Sequence, residues 1–587
     1  MTTTKRRGIF PLHALAAATA LGCATQASAV SFNIGEIEGQ FDSSLSVGAS
    51  WSMRSADKDY IGTRNGGHAS SQTSDDGRLN FKKGETFSKI FKGIHDLELK
   101  YGDTGAFFRG KYWYDFELKD EHRLLYDIDD HNRKEGAKSS GALALSLLAG
   151  SVTAAVSPDE AAKLGSSLTP IGAQKEGNAD GSIPAWTGGL AASAGKVDGK
   201  GFLSDPFADE KPLFTITAQN VEQYKDKLSD GQLAMFKRYP ETYRIPVYKT
   251  HRTVALPAEI DEAVKQSALN VQPINDGNGL SNFEKSRYYA FPIPKNGVEV
   301  LWNHITRYRG GNLKRTIVQA TPQTNGSFTP IRFEESVAFP QNMPDLDQSK
   351  AANILTFFKQ QVTAPARLAG NVLLVHETLD QVKEPRLAWV YNAGQRRVRR
   401  APQVAYDGPG TAADGLRTSD NFDMFSGAPD RYDWKLVGKR EMYIPYNAYK
   451  LNDPTLKYGD IIKAGHINQD LTRYELHRVW EVVGTVKPGE RHIYAKRHMY
   501  IDEDSWQIAL VDHYDGRGQL WRVGEGHAQY HYDQKVAGYT LEALYDVIAG
   551  RYLALGMNNE EKRGYEFGFK ASSADYTPAA LRNAGVR

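Results

Sequence analysis

From Gly39 to Ser52 the chain alternates between apolar and small polar residues. Phe41, Leu45, Val47, Ala49 and Trp51 fall on one side, and Gln40, Asp42, Ser44, Ser46, Gly48 and Ser50 on the other. Period-two alternation predicts a strand. The stretch AFFRGKYWYDFEL, Ala106 to Leu118, repeats it with Phe108, Tyr112, Tyr114, Phe116 and Leu118 on one face, and residues 95–101 form a third candidate. Long strands, apolar on one side and small and polar on the other, suit an outer-membrane barrel. A soluble antiparallel sheet has the same pattern segment by segment. Three or four strands cannot close a barrel, and open edges are not tolerated in lipid. On the residues alone, 30–132 is either a soluble antiparallel sheet or a short β-hairpin-type barrel fragment without a pore, folded as a small unit or partly without fixed structure.

Beyond residue 156 the pattern changes. Ser157-Pro158-Asp159-Glu160 has an N-cap Ser, a Pro in the first turn and a Glu placed to complete a capping box. Helices are expected at 218–228, 232–239, 257–269, 348–361 and 541–555; in the last, Leu541, Leu544, Tyr545, Ile548 and Tyr552 recur at helical spacing. Strands are expected at 316–321 and 328–333 around Asn325-Gly326, then at 371–378, 387–391, 396–400, 474–486, 492–501, 506–514 and 520–530. Tight polar turns join them and no βαβ rhythm appears. The class is α+β: one large curved antiparallel sheet with helices gathered against one face. The strands around Trp506 and Trp521 carry bulky apolar groups on both faces. Such a sheet either packs under helices or curls about contents of its own.

Two segments have the anatomy of export signals. Residues 1–29 combine Lys5, Arg6 and Arg7, an apolar run from Ile9 to Leu21, and Ala27-Ser28-Ala29, a small-x-small cleavage site. Lipid attachment at Cys23, after Gly22, is a second option. Residues 133–155 repeat the arrangement internally: Arg133, Lys134 and Lys138 precede a 16-residue apolar run, Gly141 to Val156, containing Val152-Thr153-Ala154. A spanning helix needs about 20 strongly apolar residues. An internal export signal at the joint of two fused exported proteins is the favoured explanation; an ordinary buried helix is the other.

Composition narrows the class. The 587 residues are 40% hydrophobic and 24% charged, with a formal net charge of +2. That balance argues against a nucleic-acid binder. Cys23 is the single cysteine, so a mature chain starting at Val30 has neither disulfides nor thiolate metal sites. Aromatic residues reach 11%, with 30 Tyr and 9 Trp, many in the alternating segments.

Catalytic motifs are absent from the sequence. There is no Gly-x-Ser-x-Gly, phosphate-binding loop or His-Glu-x-x-His, and Gly408 to Gly415 lacks dinucleotide-binding spacing. His527 and His531 stand in strand-like sequence, roughly 13 Å apart at ~3.3 Å per residue; a metal would require them to meet His513 across strands. Asp502, Glu503 and Asp504 read as a solvated turn rather than a calcium site. Arg396, Arg397, Arg399 and Arg400 form a basic strand, either an edge that deters sheet addition or a seat for an anionic lipid head group.

Three long motifs, AWVYNAGQRRVRRAP, SDNFDMFSGAPDRYDWKLVGKREMYIPYN and MYIDEDSWQIALVDHYDGRGQLWRV, resemble domain-of-unknown-function family 1329, over essentially all of residues 156–587. FNIGEIEGQFDSSLSVGASW resembles the start of the outer-membrane proteins of family 1302, which implies that residues 30–132 are a truncated outer-membrane-barrel-like fragment. The first resemblance implies a fold similar to the Lol lipoprotein carriers, an unclosed barrel of antiparallel strands with helices covering an apolar cavity. It implies a carrier or sorting factor for a lipid or lipoprotein acyl chain, acting in the periplasm or peripheral to the outer membrane, without cofactor, metal or bond chemistry. Partners implied are an outer-membrane barrel protein and an inner-membrane export permease. An envelope scaffold and a hydrolase of a lipophilic substrate are the alternatives. At about 0.8 kcal/mol per methylene, a 16-carbon chain gains on the order of 12 kcal/mol gross on burial, less several for immobilisation. Trp389, Tyr391, Trp480, Trp506 and Trp521 are the candidate cavity aromatics, since rings on neighbouring strands build an apolar wall; in a filled core the same rings simply pack.

Overall fold

Contacts divide the chain into two units, Met1–Ala154 and Ala155–Arg587. The computed structural model describes residues 28–34, 37–52, 68, 83–101, 104–116, 148–152 and 156–585. Residues 1–27 with Cys23, and the inner apolar segment apart from 148–152 and Val156, lie outside them.

In the first unit the alternating segments are strands: β1 (Ser28–Ile34), β2 (Ile37–Trp51), β3 (Thr86–Tyr101), β4 (Thr104–Asp115) and β5 (Leu148–Val152). Each runs antiparallel to the next, in the order 1-2-3-4-5. Register preserves the parity of the pattern, setting Phe41 opposite Leu97 and Val47 opposite Phe91. Phe41, Leu45, Val47 and Trp51 are all exposed on one face, Val47 by 80%. β5 falls inside the inner apolar segment and pairs with β4, so these five residues are extended rather than helical.

The second unit opens on the expected capping box: Ser157 caps α1 (Pro158–Ala161) and Glu160 answers its backbone N–H. The main helices are α2 (Asp230–Arg238), α3 (Ala258–Asn270) and α4 (Gly297–Thr306); α5 (Tyr458–Ile461) and α6 (Ala580–Gly585) are short. Strands β6 (Phe214–Ile216) and β7 (Ile245–Val247) precede a two-stranded ribbon, β8 (Gln272–Ile274) and β9 (Gly279–Ser281). Then come β10 (Leu313–Ala320), β11 (Ile331–Ala338), β12 (Ile354–Ala364), β13 (Val372–Thr378), β14 (Leu387–Asn392) and β15 (Arg397–Arg400). The rest are β16 (Tyr432–Pro445), β17 (Tyr474–Val486), β18 (Lys496–Asp502), β19 (Ile508–Tyr514), β20 (Leu520–His531), β21 (Val536–Asp546), β22 (Arg551–Met557) and β23 (Glu566–Phe567). Sixteen of these strands form one sheet, in the order 15-14-13-12-11-10-22-21-20-19-18-17-7-6, with β16 beside β17 and β23 beside β10. All pairings are antiparallel except β7 with β17. The two ends of the sheet do not meet, so it is unclosed.

Three expected helices are something else. Residues 348–361 contribute to β12, and 541–555 are the β21–β22 hairpin, turned at Gly550 with φ +69°. Every residue of β21 but Gly538 is buried. With both faces covered, apolar side chains fill successive positions, and Leu541, Leu544 and Tyr545 imitate a helical stripe. Residues 218–228 form two separate 3-10 turns, Val221–Gln223 and Lys225–Lys227. Helix α4, which was not among the expected helices, is buried at nine of its ten residues.

The helices lie on both faces of the sheet rather than one. Asp512 and Val523, paired across β19 and β20, meet α2 at Ser229 and Gly231. Met499 and Val511, paired on the opposite face, share an apolar cluster with Val300 and Leu301 of α4. The α4 face also receives the 31-residue connection from β15 to β16, residues 401–431.

Candidate functional site

On the α4 face the register of four strands lays down two rows. Leu313, Val337, Phe358 and Val375 are consecutive cross-strand partners on β10, β11, β12 and β13. Arg315, Glu335, Gln360 and Leu373 form the adjacent row. Because side chains alternate along each strand, both rows point to the same side. There all of them except Glu335 floor a cavity of about 170 Å³ whose other walls include Ile305, Tyr539, Tyr565 and residues of the 401–431 segment, among them Arg417, Phe422 and Phe425.

That segment is long for an irregular connection, and such loops are usually functional. Buried charge pins it. Asp423 accepts from Arg307 and Arg309, which follow α4. Burial alone would raise the Asp423 pKa; the two guanidiniums outweigh it and hold the carboxyl well below the usual carboxylate range. Asp420 is held low in the same way by Arg497 and His492. On the sheet side Arg386 pairs with Glu377 and donates to the Ser426 carbonyl at 2.8 Å. Arg315 donates to Glu335 at 2.7 Å, and Gln360 to the same carboxylate at 2.6 Å. Burial pushes Glu542, which accepts from the Met424 N–H at 2.9 Å, up to about 7.

The five aromatic residues singled out from the sequence stand elsewhere; none lines this cavity. Trp389 and Tyr391 pack in a cluster with Phe357, Tyr576 and Leu581. Trp506 is fully buried, stacks on Trp480 with ring centroids 5.8 Å apart, and donates to the Ile171 carbonyl at 2.8 Å. Trp521 is half-buried, bonds Asp546 and lies under Arg522. Arg396, Arg397, Arg399 and Arg400 are exposed at the β15 end of the sheet, away from the cavity walls. The arginines that do line it, 307, 309, 315, 386 and 417, are scattered along the chain. The sequence did not mark the floor: residues 348–361, which contribute to β12, read as a helix, and 371–378 as an ordinary strand.

The acidic turn Asp502 to Ser505 is buried rather than solvated, each residue at most 4% exposed. Its charges are met by Arg252 on Asp504 and by Arg478 and Lys439 on Glu503. His477, Asp502 and Asp504 bring ligand-type atoms within 4.8 Å of one another, the one such group among the described residues. Arg252 already occupies both Asp504 oxygens and Glu475 engages His477, while Asp502 accepts from Ser505 through one oxygen and leaves the other without a partner. His513, His527 and His531 do not form a ligand group among the described residues. His513 faces Asn421, and His531 stacks on Tyr565 at the cavity rim.

The family model described as "Protein of unknown function (DUF1329)" matches residues 215–582. The chain belongs to the DUF1329 family. A second model, the protein family of unknown function DUF1302, matches residues 10–168. The chain is similar to the uncharacterized protein PA3922 of Pseudomonas aeruginosa, with 69% identity over 448 residues, 76% of this chain and 98% of that protein. Among solved structures, a DUF1329 family protein from Desulfovibrio piger matches 46% of this chain and 92% of its own, at 13% identity and a TM-score of 0.33. A LolA-superfamily protein from Nitrosomonas europaea matches 48% of this chain and 98% of its own, at 10% identity and a TM-score of 0.30.

Proposed function

We propose that this DUF1329 member is an exported carrier or sorting factor that shelters a lipid or acyl chain beneath the 401–431 segment, without making or breaking bonds. The supporting observation is the cavity itself. Leu313, Val337, Phe358, Leu373 and Val375 present an apolar floor that the protein's own side chains leave unfilled. A void lined this way forgoes packing contacts that a guest would restore. Its size limits the guest. A dry cavity of about 150 Å³ accepts a benzene ring, and drug-sized ligands need about 300 Å³ or more. At about 170 Å³ the site holds a ring or a short run of methylenes. A 16-carbon chain would have to extend through the open side or displace the 401–431 segment, so its burial contributes less than the gross figure for the whole chain.

Native mass spectrometry of protein purified from a Gram-negative periplasm tests this reading. A co-purifying lipid-sized mass is expected, and Leu373→Trp, which fills the floor, is expected to lose it. A clean apo mass that stays apo with added lipids would sink the carrier; turnover of a lipid ester would replace it with a hydrolase, and a stable protein partner with a scaffold.

A further inference from the structure

Four of the five arginines lining the cavity have carboxylates: Arg307 and Arg309 share Asp423, Arg386 has Glu377, and Arg315 has Glu335. Arg417 has none. It is 4% exposed, and among the described residues no carboxylate forms an ion pair with it. Among the described residues its one side-chain hydrogen bond is long, 3.4 Å from Nη1 to the Thr418 carbonyl. Its Nε is buried without a partner, as are the Nε atoms of Arg307 and Arg386. The Phe422 ring lies 5.3 Å from its guanidinium carbon. Burial lowers the Arg417 pKa, with Glu542, Glu335 and Asp420 opposing from a distance. The cavity walls thus carry five guanidiniums and two carboxylates, Glu377 and Asp423. A buried charge is costly unless paired, and a guanidinium fork matches a carboxylate or phosphate in two parallel bonds.

Resting on the carrier reading, we propose that the guest is an anionic amphiphile: its ionised acid, a carboxylate or a phosphate, seats on Arg417, and its apolar part lies on Leu313, Val337, Phe358 and Val375. Neutral lipids of the same length lack the partner that the guanidinium needs.

Titration calorimetry of the delipidated full chain with decanoate, decyl phosphate, decanol and inorganic phosphate tests this. Decanoate or decyl phosphate is expected to bind at least tenfold more tightly than decanol, and the tighter of the two identifies the acid. Arg417→Met is expected to weaken the acid by roughly tenfold to a hundredfold and leave decanol unchanged. Equal binding of acid and alcohol would overturn the proposal while leaving the carrier intact. Inorganic phosphate binding as tightly as decyl phosphate would overturn the amphiphile and the carrier together, as would no binding by any of the four. Thermal melting of Arg417→Met separates recognition from folding. Removing an unpaired buried charge should hold or raise the apo Tm; a fall of several degrees would show that the guanidinium serves the fold, and the proposal would fail.

Discussion

Asp512 is fully buried where β19 meets the start of α2. Ser229 donates to its Oδ1 at 3.1 Å, and its Oδ2 has no partner. Burial pushes the carboxyl up to about 7, with Asp230 adding to the rise and Gly231, Ser229 and Lys496 opposing it. A raised carboxyl means that the folded state binds its proton more tightly than the unfolded chain, whose value is about 3.9. Its contribution to stability is complete below about pH 4 and is lost as pH climbs through 7. Relative to Asp512→Asn, the wild type should therefore lose about 3 kcal/mol between pH 5 and pH 8. Urea unfolding of both proteins at the two pH values reads this directly, and parallel pH profiles would show that Asp512 is ionised in the fold. Nothing local in LVDHY distinguishes this Asp from a surface one; its neighbours arrive from residues 229–231. Arg417 is the same problem in reverse, since the acid that fails to meet it cannot be read from its own segment.

At the level of elements, alternation of residue type was legible in β2, although both of its faces are largely exposed, whereas β16, where burial alternates over its first half, was not among the expected strands. Alternation failed where both faces are covered, and β21 and β22 then read as a helix. The edge strand β15 is a clearer case. Val398 is half-buried, whereas Arg397 and Arg399 are exposed beside a backbone edge that pairs only with β14. Charged edge residues discourage sheet-to-sheet addition. Replacing both Arg397 and Arg399 by Val should leave the monomer within about 0.5 kcal/mol of wild-type stability yet produce concentration-dependent self-association by light scattering. An unchanged monomer would mean that the edge is guarded by something other than charge.

Among the described residues, all seven apolar clusters lie within residues 156–585. Val156 is anchored there, donating to the Ala268 carbonyl at 3.1 Å and packing with Ala161 and Leu164. The Pseudomonas relative is matched over 98% of its length by 76% of this chain. Residues 156–587 expressed alone should accordingly melt in one cooperative transition within about 2 °C of the main transition of the full chain. A lower or broadened transition would show that the second unit depends on the first. We further propose that the inner segment is a retained export signal at a fusion joint; mature protein beginning near Ala155 would support this, and protein retaining residues 133–155 after export would count against it.

The sequence by itself determined what rests on neighbours along the chain. The capping box at Ser157, the alternating strands of both units, most turns of the meander and the α+β class follow from interactions within a few residues. Tertiary structure alone decided which apolar runs become strands buried on both faces, where the helices sit, and which cations find carboxylates. The cavity belongs to the second kind. Its floor comes from four strands and its cover from a segment a strand or more away, so its existence depends on a register and a volume that no stretch of sequence contains.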